Sequence, residues 1–154
     1  LHYFINDMTN DFLLVLYGKN DEAETPLKDE AMAAAIREVL RAMVTNVQTF
    51  GAQWTITCLD KISGLANNGY RREACALIGT FCESTEADYS EQIQMILRCL
   101  IKRAADSDPS VIDAAWDALS ILLSKNRVED MLQYVPFISN MIATVISTER
   151  YKWV

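Results

Sequence analysis

Residues 105–124 constrain the fold more than any other part of the chain: Ala-Asp-Ser-Asp-Pro-Ser-Val-Ile-Asp-Ala-Ala-Trp-Asp-Ala-Leu-Ser-Ile-Leu-Leu-Ser. This stretch predicts a helix end, a tight turn and a new amphipathic helix. Asp108 is expected to accept a hydrogen bond from the free amides of the new helix, and Pro109 suits its first position, where no N–H is needed. The predicted buried face recurs at steps of three and four residues: Val111, Ala115, Leu119, Leu122 and Leu123.

Similar patterns predict seven helices and no strands along the chain. We place them at residues 3–17, 27–47, 50–66, 70–83, 89–105, after Pro109, and at 128–147. Gly18 is expected to end the first helix, and Asn67-Asn68-Gly69 indicates a turn after the third. The charged residues 19–25 form the most disorder-prone segment, and Pro136 is expected to kink the last helix.

The spacing of apolar side chains predicts which face of each remaining helix is buried. These faces are Phe4, Met8, Phe12 and Leu16 in the first helix; Ala31, Ala35, Val39 and Met43 in the second; Trp54, Cys58, Ile62 and Leu65 in the third; Tyr70, Ala74, Leu77, Ile78 and Phe81 in the fourth; Ile93, Ile96, Leu97, Leu100, Ile101 and Ala104 in the fifth; and Met131, Leu132, Val135, Ile138, Ile142 and Val145 in the last.

The even-numbered helices predict an internal repeat. Ala35, Ala74 and Ala115 fall at matching positions spaced by 39 and then 41 residues, and Leu119 follows on the same stripe. Helix pairs of about 40 residues are typical of HEAT repeats, whereas tetratricopeptide repeats have a period near 34. We therefore predict an all-α fold, a right-handed α-solenoid of about three and a half HEAT repeats. Its antiparallel pairs would cover residues 1–47, 48–86 and 87–126, followed by helix 128–147.

Composition limits the class of protein. Hydrophobic residues make up 51% of the 154, enough for one domain with a core, and no apolar run approaches the roughly 20 residues of a membrane span. The chain begins at Leu1 without a recognisable leader, so we expect it to be a single segment, residues 1–154, excised from a longer protein. Its formal charge of −7 argues against general nucleic-acid binding, although a local basic patch is compatible with it.

The sequence offers little catalytic or metal chemistry. Cys58, Cys75, Cys82 and Cys99 form no C-x-x-C pair and are expected to be buried small hydrophobes. Asp113 and Asp117 lie one helical turn apart, which fits a solvated helix face better than a carboxylate pair. His2 is the only histidine, and Walker, G-x-S-x-G and G-x-G-x-x-G motifs are absent. We predict a protein that is not an enzyme, with no cofactor, metal or small-molecule substrate.

Basic residues on two helices predict an interaction patch. Arg71, Arg72, Arg98, Lys102 and Arg103 are expected either to contact phosphate or an acidic peptide, or to be ordinary solvated charge that complements helix dipoles. Arg71 also has a structural interpretation, in which it reaches an Asp in a neighbouring repeat turn. Met32 and Ile112 occupy the matching positions, so an arginine ladder would not be continuous.

Trp116 lies beside the predicted buried stripe and has two interpretations. With Ala35, Ala74, Ala115 and Leu119 it is predicted to pack repeats together; the alternative is an exposed anchor for a protein partner.

The chain from about residue 71 to 150 resembles a family of large HEAT-repeat translational activators, the general control non-derepressible protein one family. The residues that carry the resemblance are Arg71-Arg72-Glu73-Ala74, Ala87-Asp88-Tyr89-Ser90, Asp106-Ser107-Asp108-Pro109 and Ala115-Trp116-Asp117-Ala118-Leu119. The last of these four elements is the most specific to the family. The resemblance places the chain upstream of the family's elongation-factor-three-like region.

The resemblance implies a cytoplasmic, ribosome-associated scaffold that promotes activation of the initiation factor two alpha kinase in amino-acid starvation. Its implied partners are an ABC-type protein, ribosomal proteins and rRNA, reached through the parent protein, with no membrane. The kinase contact is expected outside this chain. The competing hypothesis is a HEAT-repeat adaptor for protein–protein interaction in transport or cytoskeletal assembly.

Overall fold

A computed structural model describes residues 2–47 and 49–152, which are helical apart from short connections. The α-helices are α1 (His2–Tyr17), α2 (Glu30–Thr45), α3 (Thr49–Ile62), α4 (Asn68–Ser84), α5 (Ile93–Arg103), α6 (Pro109–Lys125), α7 (Val128–Met131) and α8 (Val135–Lys152). Short 3₁₀ turns at Ser90–Gln92 and Leu132–Tyr134 lead into α5 and α8. Within the described ranges, no helix is both long and apolar enough to cross a bilayer.

The helices form two layers. In one layer α1, α3, α5 and α8 pack in succession, and in the other α2, α4 and α6 do so, with the most extensive contact between α4 and α6. Each helix of the first layer up to α5 also contacts its successor in the chain, so α1/α2, α3/α4 and α5/α6 are consecutive helix pairs. This is the architecture of an α-solenoid, as the sequence predicted.

Side-chain caps begin the helices of the second layer. The carboxylate of Asp29 accepts from the Met32 amide at 3.1 Å, and the side chain of Asn67 accepts from the Gly69 amide at 2.9 Å. Asp108 accepts from the Ser110 amide at 2.8 Å, and Pro109 follows it at the first helical position, which confirms the predicted start of α6.

The core lies between the two layers and is built from large apolar side chains. The largest fully buried ones are Leu13, Leu16, Tyr17, Leu40, Ile56, Ile62, Tyr70, Ile78, Phe81, Ile96, Leu97 and Leu100. All five residues predicted for the buried face of the fourth helix are buried. Cys58, Cys75, Cys82 and Cys99 are also buried with free thiols, which confirms their predicted packing role.

The repeat has a regular period that the sequence pattern placed incorrectly in its first unit. Ala33, Ala74 and Ala115 are buried at successive spacings of 41 residues, and Leu40, Phe81 and Leu122 repeat in the same way. The predicted face of α2 is wrong because Ala31, Ala35 and Val39 are exposed. Alanines occur on both sides of this helix, so alanine spacing alone does not identify its buried face.

Other predicted core residues also lie on exposed faces. They are Phe4, Trp54, Leu123, Leu132, Val135 and Ile142, each with at least 46% of its surface exposed. In α1 Leu16 is buried as predicted, but the other buried residues are Thr9, Leu13 and Tyr17, which places the contact face to one side of the predicted stripe.

Two helix boundaries differ from the prediction for local reasons. Asn67 caps α4, so Asn67-Asn68-Gly69 begins a helix instead of closing one, and the preceding turn lies at residues 63–66. Pro136 does not kink a continuous helix. The chain leaves α-helical geometry at Leu132–Tyr134, and Pro136 becomes the second residue of α8, where its missing N–H breaks no helical hydrogen bond.

The segment after α1 is held in place, contrary to the predicted disorder. Gly18 has a φ of 84°, which only glycine adopts freely, and it ends α1 as expected. The Thr25 amide then donates to the Tyr17 carbonyl at 2.8 Å, and the Asn67 side-chain amide donates to the Lys19 carbonyl at 2.9 Å. A backbone bond to the end of α1 and a bond from the Asn67 side chain therefore fix this polar segment beside the start of α4.

Candidate functional site

An ion pair connects neighbouring repeats at the turn before α6. The Arg71 guanidinium donates from Nε to Asp106 Oδ2 at 2.9 Å and from Nη2 to Asp106 Oδ1 at 3.0 Å. Its Nη1 donates to the carbonyl oxygens of Leu65 and Ala66, at 3.1 and 2.6 Å. Arg71 thus reaches an Asp in the neighbouring turn, as its structural interpretation predicted, and also binds two carbonyl groups of the turn that follows α3.

Asp106 is the centre of this arrangement. Its side chain is 3% exposed and also accepts from Arg103 Nη1 at 2.9 Å and from the Asp108 amide at 3.0 Å. Burial by itself would raise the pKa of Asp106, but the hydrogen bonds from Arg71 and the Asp108 amide outweigh it and hold that pKa below its ordinary value. The carboxylate therefore stays ionised between two guanidinium groups.

A cleft of about 530 Å³ opens beside the ion pair. The turn after α3, the end of α5 and one face of α8 form its walls. Arg71, Lys102 and Arg103 lie on one side, and Met141, Thr144, Val145 and Thr148 lie on α8 opposite them. Lys102 is exposed at the rim, and Met141 and Val145 are half-buried against the core. The cleft combines positive charge, apolar surface and hydroxyl groups.

The structure divides the predicted basic patch. Arg71, Lys102 and Arg103 border the cleft, whereas Arg98 is half-buried one turn earlier on α5. Arg72 does not belong with them: its Nη2 lies 2.6 Å from Glu24 Oε2, and its guanidinium is 5.1 Å from the centre of the Tyr17 ring. The structure therefore brings three of the five predicted patch residues to the cleft and places Arg72 in a separate cluster with Glu24 and Tyr17.

A buried polar cluster, which the sequence did not predict, lies where α1, α2 and α4 meet. The Tyr17 hydroxyl donates to Glu73, and Arg37 donates from Nε to Glu73 Oε1 at 3.0 Å and from Nη2 to Tyr17 Oη at 3.2 Å. Burial raises the pKa of Tyr17, and the nearby Glu73 carboxylate raises it further. The one available signal was the position of Glu73, an acidic residue beside the buried stripe of α4.

The predicted packing residues differ in their environments. Ala74, Ala115 and Leu119 are buried, whereas Ala35 is exposed and Trp116 keeps 56% of its surface exposed. No described helix covers Ala35 or Trp116, so the predicted packing role of these two residues stays a prediction. The exposure of Trp116 fits both of its interpretations, because either a further repeat or a partner protein would cover it.

The other chemically interesting groups are shielded or solvated. Burial raises the pKa of the Cys58 and Cys99 thiols to about 11, which keeps them protonated near neutral pH. Asp113 and Asp117 are exposed on α6. Among the described residues, no three His, Cys, Asp or Glu side chains converge as metal ligands, and the His2 side chain lies outside that description.

Consecutive helix pairs in two layers, linked by ion-paired turns, define a HEAT-repeat α-solenoid, a class of protein that presents surfaces for contact. The family model described as stalled ribosome sensor GCN1-like, HEAT repeats, matches residues 5–152. The chain therefore belongs to this family of HEAT-repeat scaffolds, which agrees with the resemblance found in its sequence.

Three relatives are similar to parts of the chain. The mouse stalled ribosome sensor GCN1 is 30% identical over 79 residues, which cover 47% of this chain and 3% of that protein. The human stalled ribosome sensor GCN1 is 32% identical over 57 residues, which cover 37% and 2%. Protein ILITYHIA of Arabidopsis thaliana is 24% identical over 140 residues, which cover 91% and 5%. No solved structure matches the chain.

Proposed function

We propose that this chain is a non-catalytic scaffold segment of a ribosome-associated translational activator. The observation that carries the proposal is the match of the stalled ribosome sensor family model to residues 5–152. The mouse and human relatives carry the same name, and the chain spans only 2 to 3% of their length, so the activity belongs to a much larger polypeptide. The segment acts by holding surfaces in position and by contact.

In the finer form of the proposal, the whole protein senses stalled ribosomes in the cytoplasm and promotes activation of the kinase that phosphorylates initiation factor two alpha. Ribosomal proteins, an ABC-type partner and rRNA are its contacts. The kinase contact lies outside this chain. The two-layer array supports such a role because ion pairs between consecutive repeats fix the spacing of the surfaces that it presents.

The contact surface that we assign to this segment is the basic rim of α5, where Lys102 is exposed and Arg98 is half-buried. Lys102 is exposed, and Arg98 precedes it by one helical turn on the same face. The formal charge of the chain is −7, so attraction to an anionic partner must come from such a local concentration of positive charge. Arg103 serves the fold as well, because it donates to the buried Asp106 carboxylate.

The first experiment follows the native polypeptide that carries this chain through a sucrose gradient of cell lysate. We expect it in the ribosomal fractions at low salt and in the light fractions at high salt, since screening weakens contacts between exposed charges. If it stays in the light fractions at low salt, the ribosomal proposal is wrong, and a non-ribosomal HEAT adaptor in transport or cytoskeletal assembly takes its place.

A pair of variants tests the assigned surface. Arg98→Glu combined with Lys102→Glu should weaken cosedimentation with ribosomes, whereas Lys28→Glu combined with Lys125→Glu, which changes the charge equally at exposed positions elsewhere, should not. Arg103 is left intact so that the Asp106 ion pairs persist. If the two combinations weaken cosedimentation equally, the basic rim of α5 is not the contact surface.

The finer proposal is tested by depleting the polypeptide from cells. Starvation-induced phosphorylation of initiation factor two alpha should then fall.

A further inference from the structure

The cleft between α5 and α8 carries positive charge that its own carboxylate does not neutralise. Arg71 and Arg103 share Asp106, whose two oxygens already accept four hydrogen bonds. Lys102 is exposed at the same rim, and no described side chain forms a salt bridge with it. Two guanidinium groups and one ammonium group thus face a single saturated carboxylate, and this excess favours an anionic ligand.

The wall opposite these cations is apolar and offers hydrogen-bond acceptors. Met141 and Val145 are half-buried on α8 and form the apolar part of this wall. The hydroxyl of Thr144 donates to the Asn140 carbonyl at 2.9 Å, and that of Thr148 donates to the Thr144 carbonyl at 2.9 Å. Because each hydroxyl hydrogen is used within the helix, the Thr144 and Thr148 oxygens offer only acceptor lone pairs to a ligand.

We infer that this cleft binds a short segment of a partner protein in which a carboxylate side chain lies next to an apolar one. The carboxylate pairs with Lys102 and Arg103, the apolar side chain packs on Met141 and Val145, and backbone amides of the segment donate to Thr144 and Thr148. The inference rests on the proposed function, because it names the class of partner that binds at the basic rim of α5.

The surroundings favour a peptide over the phosphate backbone of RNA. The phosphodiester groups of RNA have no hydrogen to donate to the two threonine oxygens, so only its 2′-hydroxyl or base groups would serve, whereas a peptide supplies a backbone N–H at almost every residue. A second hollow of about 540 Å³ adjoins the cleft across Arg71 and Ala66, and Asp21, Glu22 and Asp108 line it. A nucleic acid that extended beyond the cleft would meet these carboxylates, whereas a short peptide segment would end before them.

The test measures binding of two labelled probes to the 154-residue chain by fluorescence anisotropy, with circular dichroism to confirm that each variant is folded. One probe is a short peptide of alternating glutamate and leucine, and the other is an oligouridylate. We expect the peptide to bind and Lys102→Glu to weaken it by about tenfold, the effect of one charge-assisted contact. Lys125→Glu, which makes the same charge change at an exposed site elsewhere, should leave its affinity unchanged.

A second variant separates the acceptor wall from the charge. Thr148→Val keeps the shape of an exposed side chain while removing its hydroxyl, so it should lower the affinity for the peptide by a few-fold. The inference is overturned if neither probe binds or if Lys102→Glu and Lys125→Glu weaken peptide binding equally. It is also overturned if Lys102→Glu weakens binding of the oligouridylate instead of the peptide. If any of these results is found while the polypeptide still cosediments with ribosomes, the inference of peptide binding fails but the proposed function does not.

Discussion

The central helix and the last helix of the second layer, α4 and α6, present the same face to different surroundings. Cys75, Gly79 and Cys82 of α4 are buried, and Gly79 lies against Ala118 of α6. The matching residues one repeat of 41 positions later are Trp116, Ser120 and Leu123 of α6, and they are exposed.

The difference between these faces shows that the exposure of these side chains depends on where their helix lies in the second layer. Each helix of the second layer buries one flank against its predecessor and the other against its successor. Within the described residues α6 has no successor in its layer, so an apolar flank stays open there. At the other end of the layer, Met32 and Val39 of α2 are open for the same reason. An exposed tryptophan is therefore weak evidence for a binding anchor in a repeat protein.

The largest expected effect concerns the ion pair that α4 has and α6 lacks. Arg71 on α4 corresponds to Ile112 on α6, so only α4 reaches a carboxylate in the following turn. Asp106→Ala should lower the free energy of unfolding by about 3 to 5 kcal/mol, because it leaves two arginines without their buried partner. Urea unfolding followed by circular dichroism measures the loss. Asp113→Ala, at an exposed carboxylate, is the control and should change little.

The pH dependence of stability tests the same ion pair. The pKa of Asp106 is lowered in the folded protein, so its stabilising contribution is complete above the unfolded value of about 4 and disappears as the pH falls through the folded pKa. The stability of the parent chain should therefore fall more steeply below about pH 4 than that of Asp106→Ala. Parallel pH profiles would show that the carboxylate does not stabilise the fold in this way.

An intermediate effect is expected from adding the same side chain to each of the two faces. A Cβ at Gly79 would lie 3.3 Å from both Cα and Cβ of Ala118, so Gly79→Val should destabilise the chain by about 1 to 3 kcal/mol through overpacking. Ser120→Val places the same side chain at the matching exposed position and should stay within about 0.5 kcal/mol. Thermal unfolding of the two variants provides the comparison, and similar losses would contradict the 41-residue register.

The smallest effect is expected from removing the largest exposed side chain. Trp116→Ala should change the free energy of unfolding by less than about 0.5 kcal/mol, because more than half of the surface of this residue is exposed. Cys75→Ala removes a much smaller but fully buried group and should cost about 1 kcal/mol. A larger loss at Trp116 than at Cys75 would mean that the open flank of α6 is covered in solution, which unfolding at several protein concentrations would detect.

Local signals in the sequence were sufficient for helix ends and for strongly apolar faces. The Asp108-Pro109 pair placed the start of α6, and the spacing of Tyr70, Ala74, Ile78 and Phe81 identified the buried face of α4. Both depend on backbone geometry within a few residues, which the amino-acid order encodes directly.

Contacts between distant residues were not predictable in the same way. Tyr17 and Glu73 are 56 positions apart, and Glu24 and Arg72 are 48 apart, so no helical or strand period links them. The segment at 19–25 was expected to be disordered from its charge, yet Glu24 pairs with Arg72 there. The basic patch divided for the same reason, since the adjacent Arg71 and Arg72 pair with Asp106 and Glu24, which their place in the sequence does not reveal.

The ion pairs between repeats also determine how the array responds to force. Arg37 and Glu73 join α2 to α4, and Arg71 and Asp106 join α4 to the turn before α6. Short ion pairs hold one geometry, whereas apolar packing, which is non-directional, permits sliding. We therefore expect the first two boundaries to be the stiffer couplings and the compliance of the described chain to be greatest toward α8. Because one wall of the cleft lies on α8 and the other on the ion-paired part, we expect bending of the solenoid to change the width of the cleft before it disturbs the core.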